Sequence, residues 1–303
     1  MVETSSGVPV SFQEQARAYR EKIINEIFYA LGLSRNGVMR RLVGPLFRPP
    51  AGRFGRIAAR VDEEVGRSGL SGGARLILPD FSIRVIPRGA ENIPRTGPLL
   101  MVSNHPGALD SLAILSCIPR QDVKVLLSDV AFFRAFSNAR NYFIYVPPDD
   151  TGKLSALRAS IDHLRGGGAV LIFAHGDVDP DPELGPDAGR TFQDWSRSVE
   201  IMLRRVPASQ LQVTICSGAL VSKFFHSPLV KVRKDPIKRQ KLAEVMQISR
   251  QMIRPRSVRT KIHISFAEPV PGPALPKDEL MPAVIKAAQR LLEEHLTWLQ
   301  ASL

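Results

Sequence analysis

A histidine and an aspartate stand five positions apart just after an apolar run. The run covers residues 98–102, and His105 and Asp110 follow it. Inside one helix, five steps of about 100° would place the two side chains well apart around the axis. If Pro106-Gly107 instead bends the chain and Asp110 opens the next helix, its carboxylate can accept a hydrogen bond from one ring nitrogen. The other nitrogen then faces outward with its tautomer fixed, as a general base requires.

The surrounding residues extend this interpretation and also allow a plainer one. Asn104 is expected to orient His105 or to donate to the site. The helix start near Gly107-Ala108 is expected to offer backbone N–H groups to an anion or oxyanion. The plainer interpretation is a strand-to-helix turn, in which Asp110 stands only because carboxylates stabilise the first turn of a helix.

Composition bounds the function classes. The chain has 303 residues, 44% hydrophobic and 23% charged, which permits a sizeable core. The net charge of +12 predicts an acidic partner, either nucleic acid or an anionic membrane. No apolar run approaches the ~18 residues of a membrane span, and residues 1–10 lack the apolar segment of a secretory signal. Cys117 and Cys216 lie in apolar segments and predict free thiols in a reducing, cytoplasmic compartment.

The N-terminal region predicts two helices after a disordered stretch at residues 1–10. Ser11 with Glu14 matches a capping box, and a second helix is expected over residues 53–67, after Pro49-Pro50 breaks the pattern and before Gly69 ends it. The apolar positions are Ile23, Ile24, Ile27, Phe28, Leu31, Leu33, Met39, Leu42, Leu46 and Phe47, and the basic ones are Arg17, Arg20, Lys22, Arg35, Arg40 and Arg41. This pattern fits either a packed helix or one lying on a membrane surface.

From residue 74 onward, strands alternate with helices. Strands are expected at residues 82–87, 98–103, 123–127, 142–146, 169–174, 211–216 and 261–266. Helices are expected at residues 111–118, 151–165, 190–206, 235–253 and 277–299. The alternation predicts an α/β fold with a mixed central sheet flanked by helices. We therefore assign residues 1–73 to a basic amphipathic helical region and residues 74–303 to the α/β domain.

The first of these patterns resembles a known family. Residues 89–94 read G-A-E-N-I-P, residues 97–105 read G-P-L-L-M-V-S-N-H, and Asp110 completes N-H-x-x-x-x-D. This block resembles the glycerolipid acyltransferases of the lysophosphatidic acid and glycerol-3-phosphate acyltransferase type, and the chain is similar to a divergent member. The resemblance implies the fold of glycerol-3-phosphate acyltransferase. It also implies His105 as general base with Asp110 holding the imidazole, and acyl-CoA or acyl-carrier protein as co-substrate without another cofactor.

The later family blocks match less of this sequence. Residues 141–146 stand where the family carries an arginine for the acceptor phosphate, and that arginine is absent. Residues 173–177 stand for F-P-E-G-T-R, so Phe173, His175 and Gly176 are the expected substrate-binding residues, with His175 in place of the glutamate. Residues 213–218 correspond to the fourth block. The layout covers roughly residues 82–220.

Four basic residues are candidates to replace the missing arginine. Arg190 and Arg197 are expected to hold an acceptor phosphate or a coenzyme A phosphate, and exposed helix arginines are the equally acceptable alternative. Arg134 and Lys153 are weaker candidates for the same role.

The acidic loop of residues 177–183 resembles a calcium loop in its alternation, but Pro182 and Ala188 stand where such a loop needs Gly and Glu. We therefore expect no metal, and a solvated loop at the rim of the site.

The basic residues 231–259 fit a surface for anionic lipid headgroups. Nucleic acid is not expected as a partner, because aromatic residues make up only 7% of the chain.

These features predict an acyltransferase that acts on a hydroxyl of a glycerophospholipid precursor or related lipid. It is expected to be cytoplasmic and peripheral on the inner face of the membrane. The alternative is an acyltransferase-like fold that has changed its catalytic function and binds a lipid or a partner.

Overall fold

The computed structural model of the protein describes residues 11–30 and 38–301. The predicted disorder of residues 1–10 and the expectations for Leu31, Leu33 and Arg35 lie outside these residues. The side chains of residues 26–30, 38–43 and 46 are also outside the description. The expectations for the remaining apolar and basic positions in those ranges therefore stay predictions.

One mixed sheet forms the centre of the fold. Its strands are β1 (Ile83–Arg88), β2 (Leu99–Ser103), β3 (Val123–Ser128), β4 (Phe143–Val146), β5 (Ala169–Phe173), β6 (Gln210–Ser217), β7 (Thr260–Phe266) and β8 (Val270–Pro271). The strand order is β1-β7-β6-β2-β5-β3-β4, with β8 paired to β6. β6 pairs antiparallel with β7 and β8, and the other neighbours are parallel. The predicted α/β fold with a mixed central sheet is therefore confirmed.

Helices cover both faces of this sheet. They are α1 (Phe12–Ala30), α2 (Val38–Ile77), α3 (Asp110–Cys117), α4 (Ala131–Arg134), α5 (Asp150–Arg165), α6 (Ser198–Arg205), α7 (Ser222–Phe225), α8 (Pro228–Lys231), α9 (Pro236–Ile253) and α10 (Leu280–Ala301). Leu99 and Met101 of β2 enter one core with α2, α3 and α9, while Leu100 and Val102 enter the other with α5, α6 and α10. Successive strand residues point to opposite faces, so a strand buried on both sides is apolar throughout.

The N-terminal helices pack on the core of the sheet. Tyr19 of α1 is buried and stacks on Phe136, with ring centroids 4.9 Å apart. Asp62 of α2 is 1% exposed and accepts hydrogen bonds from the Tyr19 hydroxyl at 3.1 Å and from the backbone N–H groups of residues 137, 138 and 139 at 2.9, 3.0 and 2.8 Å. The described part of this region therefore packs on the α/β core, and a membrane contact of its apolar positions stays a prediction.

Helix α2 is longer than the sequence predicts. It continues through Pro49-Pro50, where the pattern predicts a break. The buried residue Ala51 follows directly, and its packing favours continuation of the helix over local propensity. At Gly69 the backbone leaves helical geometry, with φ 69° and ψ −176°, so two helical segments meet at a kink where the sequence predicts the helix end. Residue 73, the expected boundary, lies inside α2.

The helix predicted over residues 190–206 is interrupted, and this prediction was wrong. A 3-10 helix covers Arg190–Asp194, and α6 begins only at Ser198. Between them Trp195 is buried against Phe192, and the N–H of Ser196 donates to the Ala174 carbonyl at 2.8 Å. The backbone leaves the helix here because it bonds to the end of β5 instead. Among the described residues, no helix is both long and apolar enough to cross a membrane.

Candidate active site

His105 and Asp110 meet at the carboxyl end of β2. Nδ1 of His105 lies 3.1 and 2.9 Å from the two carboxylate oxygens of Asp110. Strand β2 ends at Ser103 and α3 begins at Asp110, so the histidine lies in the connecting turn. The Asp110 side chain is 0% exposed, whereas that of His105 is 27% exposed. The carboxylate is therefore sheltered while the imidazole remains open to a ligand on one side.

The turn between them is held by its own backbone. The N–H of Gly107 donates to Asp110 Oδ2 at 3.2 Å, and the N–H of Asp110 donates to the Gly107 carbonyl at 3.3 Å. A Cβ atom at position 107 would lie 2.5 Å from a carboxylate oxygen of Glu244 and 3.3 Å from Cβ of Ala219. The glycine thus permits the close approach of α9 to the turn.

Glu244 occupies the position where an open backbone donor was expected. The N–H of Ala108 donates to a carboxylate oxygen of Glu244, and that of Gly107 is already bonded to Asp110. In this arrangement both amides therefore donate to carboxylates, and their expected role toward an oxyanion stays a prediction. Glu244 is the single acidic residue of α9. That isolation in a basic helix is the signal by which sequence reasoning could have found it.

The site concentrates negative charge around one imidazole. Burial opposes protonation, but the carboxylates of Asp110, Glu244 and Asp179 outweigh it and raise the pKa of His105 to about 9. Burial raises the pKa of Glu244 to about 7, although the Ala108 N–H and the charge of His105 oppose this. In this arrangement His105 is therefore an imidazolium at neutral pH.

Asp179 joins the two histidines of the site. Its Oδ2 atom accepts from the backbone N–H of His105 at 2.7 Å, and its own N–H donates to the His105 carbonyl at 2.8 Å. Its Oδ1 atom lies 3.1 Å from Nδ1 of His175, and this contact raises the pKa of His175. Phe173 lies against the His105 ring, with centroids 4.5 Å apart. The structure thus brings Phe173 and His175 to the His105 turn.

The acidic loop is only partly solvated, which corrects the expectation from the sequence: Asp177 and Glu183 are exposed, and the two aspartates between them are not. Asp179 and Asp181 are buried, and Asp181 accepts from the backbone N–H groups of Gly218 and Glu183 at 2.9 and 3.0 Å. Burial raises the pKa of Asp181 to about 7. Asp177 instead contacts Lys241 at 2.6 Å. These carboxylates hold backbone and side-chain partners, and the described residues contain no cluster suited to a metal ion.

Asn104 has a structural contact where a role toward His105 was expected. Its amide nitrogen donates to the Cys216 carbonyl at 2.9 Å, and its oxygen accepts from the Cys216 N–H at 2.8 Å. The side chain is buried and ties the end of β2 to β6. Gly176 has a φ of 77° and closes the turn after β5, where its N–H donates to the Phe173 carbonyl at 3.1 Å.

The two arginine candidates differ in their placement. Arg197 is exposed and follows Ser196, whose N–H bonds to the end of β5 beside His175. Arg190 is 79% exposed and pairs with Asp187 at 3.0 Å. Within residues 11–30 and 38–301, no hydrogen bond or ion pair joins Arg190 to the His105 turn.

The weaker candidates are also paired at the surface. Arg134 forms an ion pair with Asp129, and Lys153 contacts Asp150 at 3.1 Å. Neither side chain bonds to His105 or Asp110 in the part of the chain that the structure describes.

Comparison with known proteins found a likeness to a solved structure. No protein-family model and no curated protein matches the chain. Among solved structures, it is similar to the crystal structure of the 1-acyl-sn-glycerophosphate (LPA) acyltransferase PlsC from Thermotoga maritima. The identity is 16%, the alignment covers 93% of this chain and 95% of that chain, and the TM-score is 0.46. At this level of likeness, the function of this chain rests on its own residues.

Proposed function

We propose that the protein is an acyltransferase that moves a fatty acyl group from acyl-CoA or acyl-carrier protein to a lipid hydroxyl. The observation that carries the proposal is the contact of His105 Nδ1 with both carboxylate oxygens of buried Asp110. A carboxylate in this position fixes the ring and leaves Nε2 to accept a proton. The resemblance of residues 89–110 to the glycerolipid acyltransferases supports the same reaction.

The proposed reaction needs no covalent enzyme intermediate. His105 Nε2 takes the proton of the acceptor hydroxyl while the hydroxyl oxygen attacks the thioester carbonyl, and Asp110 stabilises the resulting imidazolium. The tetrahedral intermediate then collapses, the C–S bond breaks, and the imidazolium returns its proton to the departing thiolate. If Glu244 releases the Ala108 N–H, that amide becomes a donor for the oxyanion.

The proposed acceptor is a glycerophospholipid precursor or a related lipid, which places the protein in phospholipid biosynthesis. A net charge of +12 supports a peripheral, cytoplasmic position on the anionic inner face of the membrane. Arg197 and His175 are the proposed substrate-binding residues, since His175 closely follows β5 and Arg197 follows Ser196, whose N–H bonds to the Ala174 carbonyl at the end of that strand.

One observation favours the alternative of a fold that binds lipid without transferring an acyl group. The amides of Gly107 and Ala108 are bonded to carboxylates, and His105 is protonated at neutral pH. Both features oppose base catalysis in this arrangement of the site.

The deciding experiment is thiol release from a long-chain acyl-CoA and from acyl-carrier protein, against a panel of lipid and non-lipid hydroxyl acceptors. We expect release that depends on an acceptor with wild type and not with His105→Ala. Lipid binding without release from either donor would contradict the transferase and support the alternative.

The pH dependence of transfer should change when Glu244 loses its charge. Since the pKa of His105 is about 9, kcat/KM should rise with pH until about 9, where the imidazole becomes neutral. Glu244→Gln keeps an oxygen for the Ala108 N–H but removes a charge that raises this pKa. In this variant the rise of kcat/KM with pH should therefore occur at lower pH, and kcat/KM at pH 7 should increase. The measurement is kcat/KM across neutral and alkaline pH. An unchanged pH profile in the variant would contradict the effect of the Glu244 charge on the pKa of His105.

The matched control is Glu268→Gln, since Glu268 is exposed. It removes the same charge from the surface and should leave the pH profile unchanged.

Substrate affinity should separate the two arginine candidates. Arg197→Gln should raise KM for a phosphate-bearing substrate about tenfold, which corresponds to one charge-assisted hydrogen bond. Arg190→Gln should change KM less than about twofold, because exposed surface ion pairs contribute little. The measurement is KM and kcat for both variants, and equal effects would contradict the assignment of Arg197.

A further inference from the structure

The segment of residues 222–239 forms a strongly basic surface beside the site. It comprises α7, α8 and the first residues of α9. Six basic side chains stand against one carboxylate, Asp235. The six are Lys223, Lys231, Arg233, Lys234, Lys238 and Arg239. We call this segment the 222–239 surface.

In the described part of the chain, the basic side chains of this surface are not paired with carboxylates. Within residues 11–30 and 38–301, none of the six forms an ion pair. Asp235 instead caps α9, where its side chain accepts from the Lys238 N–H at 2.9 Å. Lys223 lies 5.3 Å from the Phe224 ring centroid, and the Arg239 guanidinium 5.8 Å from that of Phe225. The basic groups therefore remain available to an anionic partner.

The same surface exposes two aliphatic side chains. Leu229 is 70% exposed and Val232 is 81% exposed, the highest values among the large exposed hydrophobic residues of the described chain. Val230 between them is fully buried in a cluster with Leu220 and Ala243. Because Val230 fixes this short helix on α9, the outward position of its neighbours belongs to the folded structure.

The 222–239 surface is connected to the His105 turn through α9. Gln240 follows Arg239 directly, and its amide nitrogen donates to the carbonyls of Pro106 and Asp179 at 2.7 and 2.8 Å. Lys241 contacts Asp177 at 2.6 Å. A partner bound at this surface would lie beside the candidate active site.

We propose that the 222–239 surface docks on an anionic lipid bilayer. The basic side chains would contact headgroups, and Leu229 and Val232 would enter the boundary with the acyl chains. Nucleic acid would use the charge, but the most exposed hydrophobic side chains here are aliphatic and offer no stacking platform for bases. Phe224 and Phe225 are partly buried and pack against the Val230 cluster. The purpose of this surface rests on the proposed function, because lipid substrates are reached from the bilayer, but its test does not depend on activity.

The test is cosedimentation of the full chain with vesicles of phosphatidylcholine alone and of phosphatidylcholine mixed with phosphatidylglycerol. Wild type should bind the mixed vesicles at low salt, and high salt should abolish this binding because it screens the charges. Changing Lys231, Arg233, Lys234 and Lys238 to Gln should weaken binding about 600-fold, since each of the four cations contributes roughly a factor of five. Leu229→Ser with Val232→Ser should weaken it about tenfold.

The matched control removes the same charge from the opposite face of the sheet. It changes Lys153, Arg158, Arg165 and Lys286 to Gln, four exposed residues on α5 and α10. This variant should bind mixed vesicles within about threefold of wild type if only the long-range charge differs. An equal loss of vesicle binding in both quadruple variants would overturn the proposal that the 222–239 surface is the docking site. Binding of wild type to duplex DNA but not to mixed vesicles would also overturn it.

Thiol release with a detergent-dispersed acceptor separates this inference from the proposed function. Retained release in the surface variant, together with lost vesicle binding, would support the docking role. If wild type binds vesicles but releases no thiol, the docking surface is supported and the proposed acyl transfer is contradicted. If wild type releases thiol but does not bind vesicles, acyl transfer is supported and the docking surface is contradicted.

Discussion

Replacing His105 by Ala should lower the rate of acyl transfer by about 10²–10⁴-fold, which is the usual contribution of a positioned general base. The residue is the one site group that contacts buried Asp110 through a ring nitrogen and is itself 27% exposed. No other described side chain contacts Asp110 in that way, so no substitute base takes the position. The measurement is acceptor-dependent thiol release by wild type and variant.

The fold of this variant should persist. Asp110 keeps the backbone N–H donors of Gly107 and Ser111, so its buried charge stays hydrogen-bonded. Near-native thermal unfolding of His105→Ala would separate lost chemistry from lost structure. Asp110→Asn should also reduce the rate strongly, since an amide cannot hold the imidazolium. His163→Ala, which removes a histidine of α5 whose Nε2 contacts the Asp122 carbonyl, is the control and should keep wild-type activity. Acceptor-dependent release by His105→Ala at the wild-type rate would contradict the mechanism.

Replacing Asp62 by Ala should lower the free energy of unfolding by about 3 kcal/mol. The substitution leaves the Tyr19 hydroxyl and three backbone N–H groups without their acceptor, and unsatisfied buried donors cost about 1–3 kcal/mol each before relaxation and water entry. Asp62→Asn should cost less, because it retains one acceptor oxygen. The measurement is urea denaturation of each variant, with the free energy extrapolated to water.

The control for this prediction is Asp162→Ala on α5, whose side chain is 73% exposed. Its pair with Arg165 lies at the surface, so the loss should stay below about 0.5 kcal/mol. A cost for Asp62→Ala as small as that of the control would mean that the N-terminal helices are not held on the α/β core by this carboxylate.

The fold was largely predictable because its signals are local. Residues 98–103 and 169–174 are short, mainly apolar runs, and the structure buries both as neighbouring central strands. Glycines and prolines mark most of the turns between elements. The prediction failed for α2 and for residues 190–206, where packing of Ala51 and of Trp195 overrides propensity. A side chain's tertiary partners are not encoded at its own position.

For the candidate site, the spacing in the sequence indicated which two side chains could act together. It did not indicate which residues surround them. The N-H-x-x-x-x-D spacing named His105 and Asp110, since a strand end, a turn and a helix start lie within eight residues. Glu244 lies 136 residues beyond Ala108, whose N–H donates to it, and Asp179 lies 74 residues beyond His105. Groups so distant in sequence meet only because the folded sheet brings the ends of its parallel strands, and the helix packed on them, to one edge.

The strand-turn-helix that carries His105 and Asp110 therefore follows from the local sequence, because those residues are close to one another in the chain. Tertiary packing is what brings Glu244 of α9 against the turn, buries Asp179 and Asp181, and sets the 222–239 surface beside the site. The charge that raises the pKa of His105 comes from three separate segments, and their approach depends on the packing of the whole sheet.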